Sequence, residues 1–232
     1  MKQKRSFGIC FKHLFLTLSI LVLFIGMSGN AFAAADTTSL VRIVHASPDA
    51  GPVDVFVDGK AVLKNLAFGT VTSYTAIPSG EHTIKVAPAG KGIKAAVITS
   101  SGRIPSGHVY TVAAIGTKEK GLDLQTFADD NSIKEGSAKV RVYHLSPNAG
   151  PVDVLVKGKH VITELGYKGA SNYLTVPAGS YTFDVHAVRA GVTVPVKATL
   201  KKDTITSVFA LGLYKGTPSL QFVVSTTTGA SS

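Results

Sequence analysis

The sequence contains a single cysteine, Cys10, and no tryptophan. A lone thiol excludes a disulfide framework, a cysteine-based zinc site and an iron–sulfur cluster. Charged residues are also sparse, at 16%, whereas hydrophobic residues make up 45% of the 232 positions. Because a disordered chain combines low hydrophobicity with high charge, this composition predicts a folded protein with a hydrophobic core. Basic residues exceed acidic ones, and the formal net charge is +10.

Long hydrophobic runs are absent except near the N-terminus. A basic segment, residues 2–13, precedes an apolar run from Leu14 to Ile25, and Ala31-Phe32-Ala33 follows. This order predicts a secretory signal peptide over residues 1–33, cleaved between Ala33 and Ala34. An uncleaved membrane anchor is the alternative, but the apolar run is shorter than the roughly 20 residues that a spanning helix needs.

Cleavage would define both the compartment and the charge of the mature chain. It removes Cys10 and four basic residues, which leaves a formal net charge of +6. No later apolar stretch approaches membrane-spanning length. We therefore expect a secreted, extracytoplasmic protein that has no membrane span after signal cleavage and is associated with the cell wall or envelope.

The most informative feature of the sequence is an internal repeat. The segment from Val41 to Lys60 recurs 99 residues later, from Val140 to Lys159, with 14 of 20 positions identical. A period near 100 residues is too long for a solenoid unit and indicates duplication of a whole domain. We predict two independently folded domains, residues 38–128 and 138–226, with a polar linker, residues 129–137, and a disordered tail, residues 227–232.

Within each copy the hydrophobic pattern has a period of two. The segment from Val53 to Val57 alternates in this way before Asp58-Gly59, which predicts a strand followed by a tight hairpin turn. Residues 109–115 and 205–211 are continuous apolar runs, which predict central strands. The pattern predicts an all-β chain of two tandem antiparallel β-sandwich domains, immunoglobulin-like with Greek-key connections. A small closed barrel is the alternative.

The repeated stretch resembles a known family. Both copies read Val-Arg-[Ile/Val]-x-His-x-Ser-Pro-[Asp/Asn]-Ala-Gly-Pro-Val-Asp-Val-x-Val-x-Gly-Lys, followed by a Leu-x-[Phe/Tyr] step and a Pro-[Ser/Ala]-Gly turn. This pattern is similar to that of the Domain of Unknown Function 4397 family, in two tandem copies. The resemblance implies an extracytoplasmic bacterial β-domain without an established activity. Lys157 replaces Asp58 in the second copy, and we expect a different turn there because lysine tolerates positive φ less well.

The repeated motif contains the residue types of a hydrolase. Its members are Arg42, His45, Ser47, Pro48 and Asp54 in the first copy and Arg141, His144, Ser146, Pro147 and Asp153 in the second. A serine hydrolase needs its serine and histidine side chains in contact, with a third group orienting the imidazole. No Gly-x-Ser-x-Gly elbow is present, and Ser47 precedes Pro48 in a predicted turn. We interpret Ser47 as bonding the turn backbone and His45 as a strand-end residue, with a secreted hydrolase as the alternative.

The same motif predicts an ion pair in each copy. Arg42 and Asp54 lie at equal distances from Pro48 along the chain, and Arg141 and Asp153 are placed in the same way. If the Ser-Pro segment is an arch, each pair would form a cross-strand contact that braces the first corner of the fold. The alternative is that the two strands belong to different sheets.

Metal and cofactor sites are not indicated. No histidine cluster has the spacing of a metal site, and Asp129-Asp130-Asn131 lacks the loop spacing and closing glutamate of an EF-hand. His82 lies on an alternating apolar face and is predicted to be a buried ring with one polar partner. We predict no catalytic, cofactor-binding or metal-ligating residue.

The basic charge admits an anionic partner. The lysines are dispersed and lack the interleaved aromatic residues that nucleic-acid binding requires. The candidate polyanion contacts are Lys91, Lys94, Lys201 and Lys202, all in predicted turns. They favour weak adhesion to an anionic cell-wall polymer or another envelope protein, and a solvated surface is the alternative. The sequence thus predicts a secreted, non-catalytic binding or scaffolding module of the cell envelope.

Overall fold

A computed structural model describes residues 37–189 and 191–231. The predicted signal peptide and its cleavage position at Ala33 and Ala34 lie outside the described residues. The described chain is almost entirely β-structure, with a 3-10 helix at Ile93–Ala95. Across these two ranges, no helix has the length and hydropathy that a membrane span requires.

The strands follow the two sequence repeats. Those of the first copy are β1 (Thr38–His45), β2 (Val53–Val57), β3 (Lys60–Leu66), β4 (Thr75–Pro78), β5 (Gly80–Pro88), β6 (Ile98–Ile104), β7 (Val109–Thr117) and β8 (Gly121–Asp129). A short strand, β9 (Ser132–Ile133), separates the copies. The second copy contains β10 (Ser137–His144), β11 (Val152–Val156), β12 (Lys159–Leu165), β13 (Gly169–Ala170), β14 (Leu174–Pro177), β15 (Gly179–Ala187), β16 (Val192–Leu200), β17 (Thr204–Leu211) and β18 (Gln221–Thr228). The last strand is β19 (Ala230–Ser231).

Each copy forms a sandwich of two open sheets. In the first copy the strand orders are β3-β2-β5-β6 and β4-β1-β7-β8, so the chain changes sheets after β1, β3, β4 and β6. The second copy repeats this with β12-β11-β15-β16 and β13-β10-β17-β18, and β14 also pairs with β10. The predicted all-β sandwich class is confirmed. Both sheets of each copy keep two edge strands, so the closed alternative does not form.

The pairing of the first strand in each copy differs from the antiparallel arrangement that we predicted. β1 pairs in parallel with β7, and β10 pairs in parallel with β17. The neighbouring strands pair antiparallel, as β7 does with β8 and β17 with β18. Side chains alternate between the two faces in both kinds of sheet, so the hydrophobic pattern could not distinguish them.

The two copies share a hydrophobic core. This shared core contains Val44, Ala46, Ala113, Ile115 and Phe127 of the first copy and Tyr143, Leu145, Phe209 and Leu211 of the second. The sheets that contain β1 and β10 therefore face each other, and we call them the inner sheets and the other two the outer sheets. Each copy also has a core of its own between its two sheets, so the shared core is a third cluster that joins the copies. The prediction of two independently folded domains is wrong in this respect, because part of the core belongs to both copies.

Burial on both faces explains the continuous apolar runs of the two copies. β7 and β17 are buried along almost their whole length. A strand in an inner sheet packs against its own outer sheet on one face and against the other copy on the opposite face. Such a strand loses the polar alternation of a half-exposed strand, as occurs in sheets covered on both sides.

The predicted linker and tail contain regular structure. Asp129 ends β8, β9 lies within residues 129–137, and β18 extends through Thr228. β19 pairs in parallel with β9. A Cβ at Gly229 would lie 2.3 Å from Ile133 Cγ2, so glycine permits this close approach. The prediction of a disordered tail is wrong for residues 227–231, and the predicted polar linker contains a strand; the two-residue strands leave no periodic signal in the sequence.

The hairpin turn expected to differ between the copies is conserved. Asp58 and Gly59 have φ values of 50° and 82°, and Lys157 and Gly158 have values of 50° and 75°. Positive φ at both central residues is the geometry of a type I′ turn. The left-handed conformation costs a non-glycine residue of order 1 kcal/mol. Pairing of β11 with β12 offsets this cost at Lys157.

Replacing Phe209 tests whether the two copies unfold together. Its ring is fully buried and stacks on Tyr143 with 4.6 Å between ring centroids. Phe209→Ala should lower the free energy of unfolding by about 3–5 kcal/mol. Because the core is shared, calorimetry should show one cooperative transition that shifts as a whole. Val192→Ala, at a 41% exposed position of the same copy, should change stability by less than about 0.5 kcal/mol. Two separate unfolding transitions, only one of which shifts in temperature in the variant, would contradict the shared core.

Candidate functional site

Each His-x-Ser-Pro segment forms a closed arch between an inner and an outer sheet. His45 ends β1 and its Nε2 lies 2.7 Å from the carbonyl oxygen of Gly51. His144 ends β10 and its Nε2 lies 2.6 Å from the carbonyl oxygen of Gly150. Since a carbonyl only accepts, Nε2 carries the proton and donates in both copies. The two glycines have φ near 72°, a conformation that glycine adopts without steric cost.

The two histidines are unsuited to proton transfer. Both rings are fully buried, and Nδ1 of each has no hydrogen-bond partner among the described residues. Burial lowers the pKa of His45 and His144, and the bonds to the glycine carbonyls oppose this shift only in part. The rings are therefore neutral near pH 7 and act as buried braces of the arch.

The motif serines do not meet the histidines. Ser146 Oγ donates to the carbonyl oxygen of Gly212 at 2.7 Å. Ser47 Oγ is buried without a hydrogen-bond partner in the described part of the chain. The predicted bond from Ser47 to the turn backbone is therefore wrong. Two residues later, Asp49 connects this segment to the β7–β8 turn, because it accepts from the backbone N–H of Lys118 at 3.0 Å.

The predicted ion pairs within each motif are also wrong. β1 and β2 belong to different sheets, so Arg42 and Asp54 do not face each other. Asp54 instead accepts the backbone N–H groups of Asn65 and Gly90, both at 2.9 Å, and these bonds lower its pKa. Asn65 has φ of 53° beside a register shift between β2 and β3.

The second copy uses its aspartate in the same way. Asp153 accepts the backbone N–H of Glu164 at 2.7 Å, and Glu164 has φ of 50°. The repeated aspartate therefore holds a bulge in each hairpin, while the repeated arginines, Arg42 and Arg141, point toward the boundary between the copies.

Arg42 lies at this boundary and is only 2% exposed. Its Nε donates to Thr111 Oγ1 at 2.7 Å, and its Nη2 donates to Ser207 Oγ at 2.9 Å and Tyr143 Oη at 3.2 Å. The guanidinium also stacks over the ring of Tyr74, with 4.7 Å from Cζ to the ring centroid. The side chain thus bonds residues of both copies, and aromatic faces help to offset its desolvation.

The carboxylate of Asp129 is buried at this boundary. Its side chain is fully buried, and Arg141 Nη1 donates to its Oδ1 at 2.9 Å. Tyr143 Oη donates to the same oxygen at 2.5 Å, while Tyr74 Oη at 2.7 Å and Thr111 Oγ1 donate to Oδ2. Burial raises the pKa of both tyrosines, so they remain neutral donors.

Sequence reasoning missed this cluster because it assigned Asp129 to the linker. Asp129 is the last residue of β8, and Arg42 Nη2 lies 3.7 Å from its Oδ2. The available signal was the conservation of Arg42 and Tyr74 as Arg141 and Tyr173 in the second copy. Two repeated cations with nearby repeated tyrosines predict a buried charge site, but nothing in the repeat identified its single carboxylate.

The remaining predicted residues lie apart from this cluster. Lys91 and Lys94 are exposed in the β5–β6 connection, and Lys201 and Lys202 are exposed in the β16–β17 connection. These connections are not equivalent in the two copies, so the repeat does not create a duplicated lysine patch. None of the four lysines forms an ion pair with any described residue.

His82 differs from its prediction by having two partners. Its Nδ1 lies 2.7 Å from Asp58 Oδ2, and its Nε2 lies 2.8 Å from the carbonyl oxygen of Pro78. The hydrogen bond to Asp58 is the main cause of a raised pKa for His82. Within residues 37–189 and 191–231, no group of three His, Cys, Asp or Glu side chains is placed to hold a metal ion.

The sequence matches the family model described as "Domain of unknown function (DUF4397)" over residues 39–155 and again over residues 138–232. The chain belongs to this family. The two overlapping matches agree with the internal repeat and confirm the resemblance carried by the His-x-Ser-Pro segments. No protein of curated function matches the chain.

Two solved structures are similar to this chain at low identity. Family 41 carbohydrate-binding modules from streptococcal virulence factors, described for alpha-glucan recognition, share 15% identity over 78% of this chain and 96% of theirs, with a TM-score of 0.23. The fimbrial anchor protein Mfa2 from Porphyromonas gingivalis shares 11% identity over 81% of this chain and 95% of its own, with a TM-score of 0.22. Scores this low carry no argument about function.

Substituting Asp129 tests the energetic role of the buried cluster. Asp129→Asn removes the charge that pairs with Arg141 and should cost about 3–5 kcal/mol in the free energy of unfolding. The matched control is Asp130→Asn, whose side chain is 51% exposed and pairs with Lys139. That change should cost no more than about 1 kcal/mol. Urea unfolding of both variants measures the difference, and equal costs would refute a special role for Asp129.

The arch histidines predict an acid-sensitive part of the stability. Unfolded histidine has a pKa near 6.5, and burial lowers it in the folded state. The unfolded chain therefore binds more protons below about pH 6.5, so this stability is present above that pH and lost as pH falls. Glutamine can donate to the glycine carbonyls without titrating. His45→Gln/His144→Gln should therefore flatten the decrease in Tm between about pH 7.5 and pH 5. An unchanged slope would contradict the assignment.

Proposed function

We propose that the protein is a secreted, non-catalytic binding or scaffolding module of the cell envelope. The single observation that supports this most is the closed arch in both copies. His45 and His144 are fully buried on carbonyl oxygens, and neither contacts a serine hydroxyl. Because the repeated motif has the same structural role in both copies, we infer that the protein acts through its surface and not through this motif.

The alternative, a secreted hydrolase, would need chemistry that the arches do not favour. A nucleophilic serine needs a base within hydrogen-bond reach, and Ser146 Oγ is instead engaged by the carbonyl oxygen of Gly212. Neutral histidines whose Nε2 already donates to carbonyl oxygens could accept a proton only at Nδ1, and both Nδ1 atoms are buried. Binding is the function that requires no rearrangement of these segments.

The proposed location rests on the N-terminal sequence. Residues 1–33 have the charge, apolar run and small residues of a cleaved signal peptide. Family membership adds the implication of an extracytoplasmic bacterial β-domain. Cell-wall association is the part of the proposal that the basic surface supports.

The proposed polymer contacts are Lys91, Lys94, Lys201 and Lys202. All four are exposed and none has an acidic partner in the described structure. A lysine ammonium is a compact, hydrated point charge that attracts anions without requiring a particular shape. Such attraction is screened over about 8 Å at physiological ionic strength. We therefore propose weak, salt-sensitive adhesion to an anionic cell-wall polymer.

Reversal of these four charges tests the proposal. Lys91→Glu, Lys94→Glu, Lys201→Glu and Lys202→Glu together should abolish retention of the mature protein on purified envelope. Tm should change little, because exposed charges each contribute at most about 1 kcal/mol. Wild-type retention should be lost between low and moderately high salt, as measured by elution in a salt gradient.

The matched control carries the same change in net charge at other exposed lysines. Its substitutions are Lys60→Glu, Lys64→Glu, Lys157→Glu and Lys159→Glu, on the β2–β3 and β11–β12 hairpins. This control should retain most of the binding if the loop lysines are the contacts. Retention that survives high salt, or that both sets of reversals reduce equally, would contradict the proposed contacts.

A further inference from the structure

The edge strand β6 of the first copy borders an open groove. The groove has a volume of about 270 Å³ and an aliphatic interior formed by Val41, Ile84, Ile104 and Val112. Residues 100–103 of β6 form one wall, and Tyr110 and Thr126 of the inner sheet line the other side. A second, apolar cavity of about 120 Å³ lies against Val41, Ile84 and Ile104. One ordered water needs only about 10–15 Å³, so the groove has room for a larger group.

The second copy fills the equivalent space with its own side chains. The 99-residue offset places Tyr181 and Phe183 where the first copy has His82 and Ile84. Strand register then aligns Val196 with Ser100 and Ala198 with Gly102. Phe183 is 5% exposed, and it stacks on Tyr181 with 5.9 Å between ring centroids. The groove therefore arises from smaller residues at four facing positions of one copy and not from the fold itself.

Neither the backbone conformation nor the packing within this chain requires glycine at position 102. Its φ lies outside the left-handed region, and a Cβ added there would meet no atom within 4 Å. Glycine inside a strand weakens it, and it often marks a position that another backbone approaches closely. Because β6 is an edge strand, a backbone that approaches it there would belong to a segment outside this sheet.

The edge of β6 also lacks the protection that the second copy has. Pro195 stands opposite Asp184 in β16, and Thr99 occupies the equivalent position, opposite Lys85, in β6. Proline has no N–H, so this position does not donate to the neighbouring strand. By the alternation of an antiparallel pair, the N–H and C=O groups of Thr99, Ser101 and Arg103 face the free edge of β6. Such an edge is a template for a further strand, and proline is one device that blocks it.

The polar groups around the groove favour an acidic partner. Arg103 is exposed and forms no ion pair with a described residue. His82 already uses both ring nitrogens, on Asp58 and on the carbonyl oxygen of Pro78. No Asp or Glu lines the groove. Glu81 stands opposite Arg103 in β5 but does not line the groove, so the charged group at the opening is the guanidinium of Arg103.

We propose that β6 binds an extended segment of a partner protein, which adds a strand to the outer sheet and inserts an aromatic or aliphatic side chain into the groove. The segment pairs with the backbone of Thr99, Ser101 and Arg103, and its inward side chain occupies the space left by Ser100 and Gly102. An acidic residue of the segment lies beside Arg103. This is the mode in which backbone pairing gives affinity and pockets for alternate side chains give specificity.

A peptide with the sequence of a second-copy strand is a suitable probe. Acetylated and amidated Gly-Ser-Tyr-Thr-Phe-Asp-Val-His-Ala reproduces residues 179–187, which carry the aromatic side chains that fill the equivalent space. Added to the isotope-labelled mature protein, it should shift the backbone amide signals of residues 99–103 at concentrations up to about 1 mM. A control peptide with serine in place of the tyrosine and phenylalanine should bind at least about tenfold more weakly.

Variants taken from the second copy separate the two parts of the site. Ser100→Val/Gly102→Ala fills the groove, and Thr99→Pro blocks the edge with the residue that the equivalent position already tolerates. Each should weaken peptide binding at least about tenfold while Tm is retained. Ser180→Val, at an exposed position of β15 in the second copy, leaves β6 and the groove unchanged and should preserve binding.

Several outcomes would overturn the proposal. These are equal binding of the two peptides, undiminished binding by the filled or proline variant, and shifts confined to residues away from β6. No binding at 1 mM, about the weakest affinity of interest, would overturn it as well. A concentration-dependent dimer that Thr99→Pro abolishes would identify a second copy of the chain as the occupant and would also refute it. Retention on anionic polymer depends on other residues, so either proposal can fail alone.

Discussion

The arrangement of the two copies depends on one buried carboxylate. Arg42 and Arg141 are products of the duplication, whereas Asp129 occurs once and lies close to both. Buried charges are tolerated only when they are paired and hydrogen-bonded, so each guanidinium must find its acceptors at this boundary. Tyrosine and threonine hydroxyls complete the shell of Asp129. The duplicated sequence is therefore used asymmetrically, and the asymmetry fixes how one copy faces the other.

Some residues that differ between the two copies lie where the two copies contact each other. Val44 in the first copy corresponds to Tyr143 in the second, and Ala46 corresponds to Leu145. All four lie in the shared core, where small residues on one inner sheet accommodate large residues on the other. The identical positions, by contrast, hold the arches and hairpin bulges, which each copy needs for its own backbone. Apart from the two repeated arginines, which are identical and lie at the boundary, identity within the motif thus reports local structure, whereas the divergent core positions report contact between the copies.

This distinction also explains what could be predicted from the sequence. Alternation, turn dipeptides and the repeat predicted the sandwiches because these depend on residues close together in the chain. The partner of Asp54 could not be predicted, because assigning β1 and β2 to one sheet or two depends on long-range packing. Asp129 was missed for the same reason, since it is polar and ends a half-exposed strand. The shared core could not be predicted because the continuous apolar run of β17 is also the pattern of a central strand within a single domain.

The same reasoning applies to the outer sheets. His82 and Tyr181 are equivalent, and each reaches the carbonyl oxygen of the equivalent proline, Pro78 or Pro177. The hydrogen bond to the proline carbonyl is therefore the same in both copies, whereas the volume of the side chain that makes it differs. Asp58 and Lys157 differ together with them, since histidine has a second ring nitrogen for the carboxylate of Asp58, whereas tyrosine has one hydroxyl proton and donates it to the proline carbonyl. A copy that needed its interior only for stability would gain by keeping the larger rings. The smaller volume beside the unprotected edge is the feature on which the proposed strand addition depends.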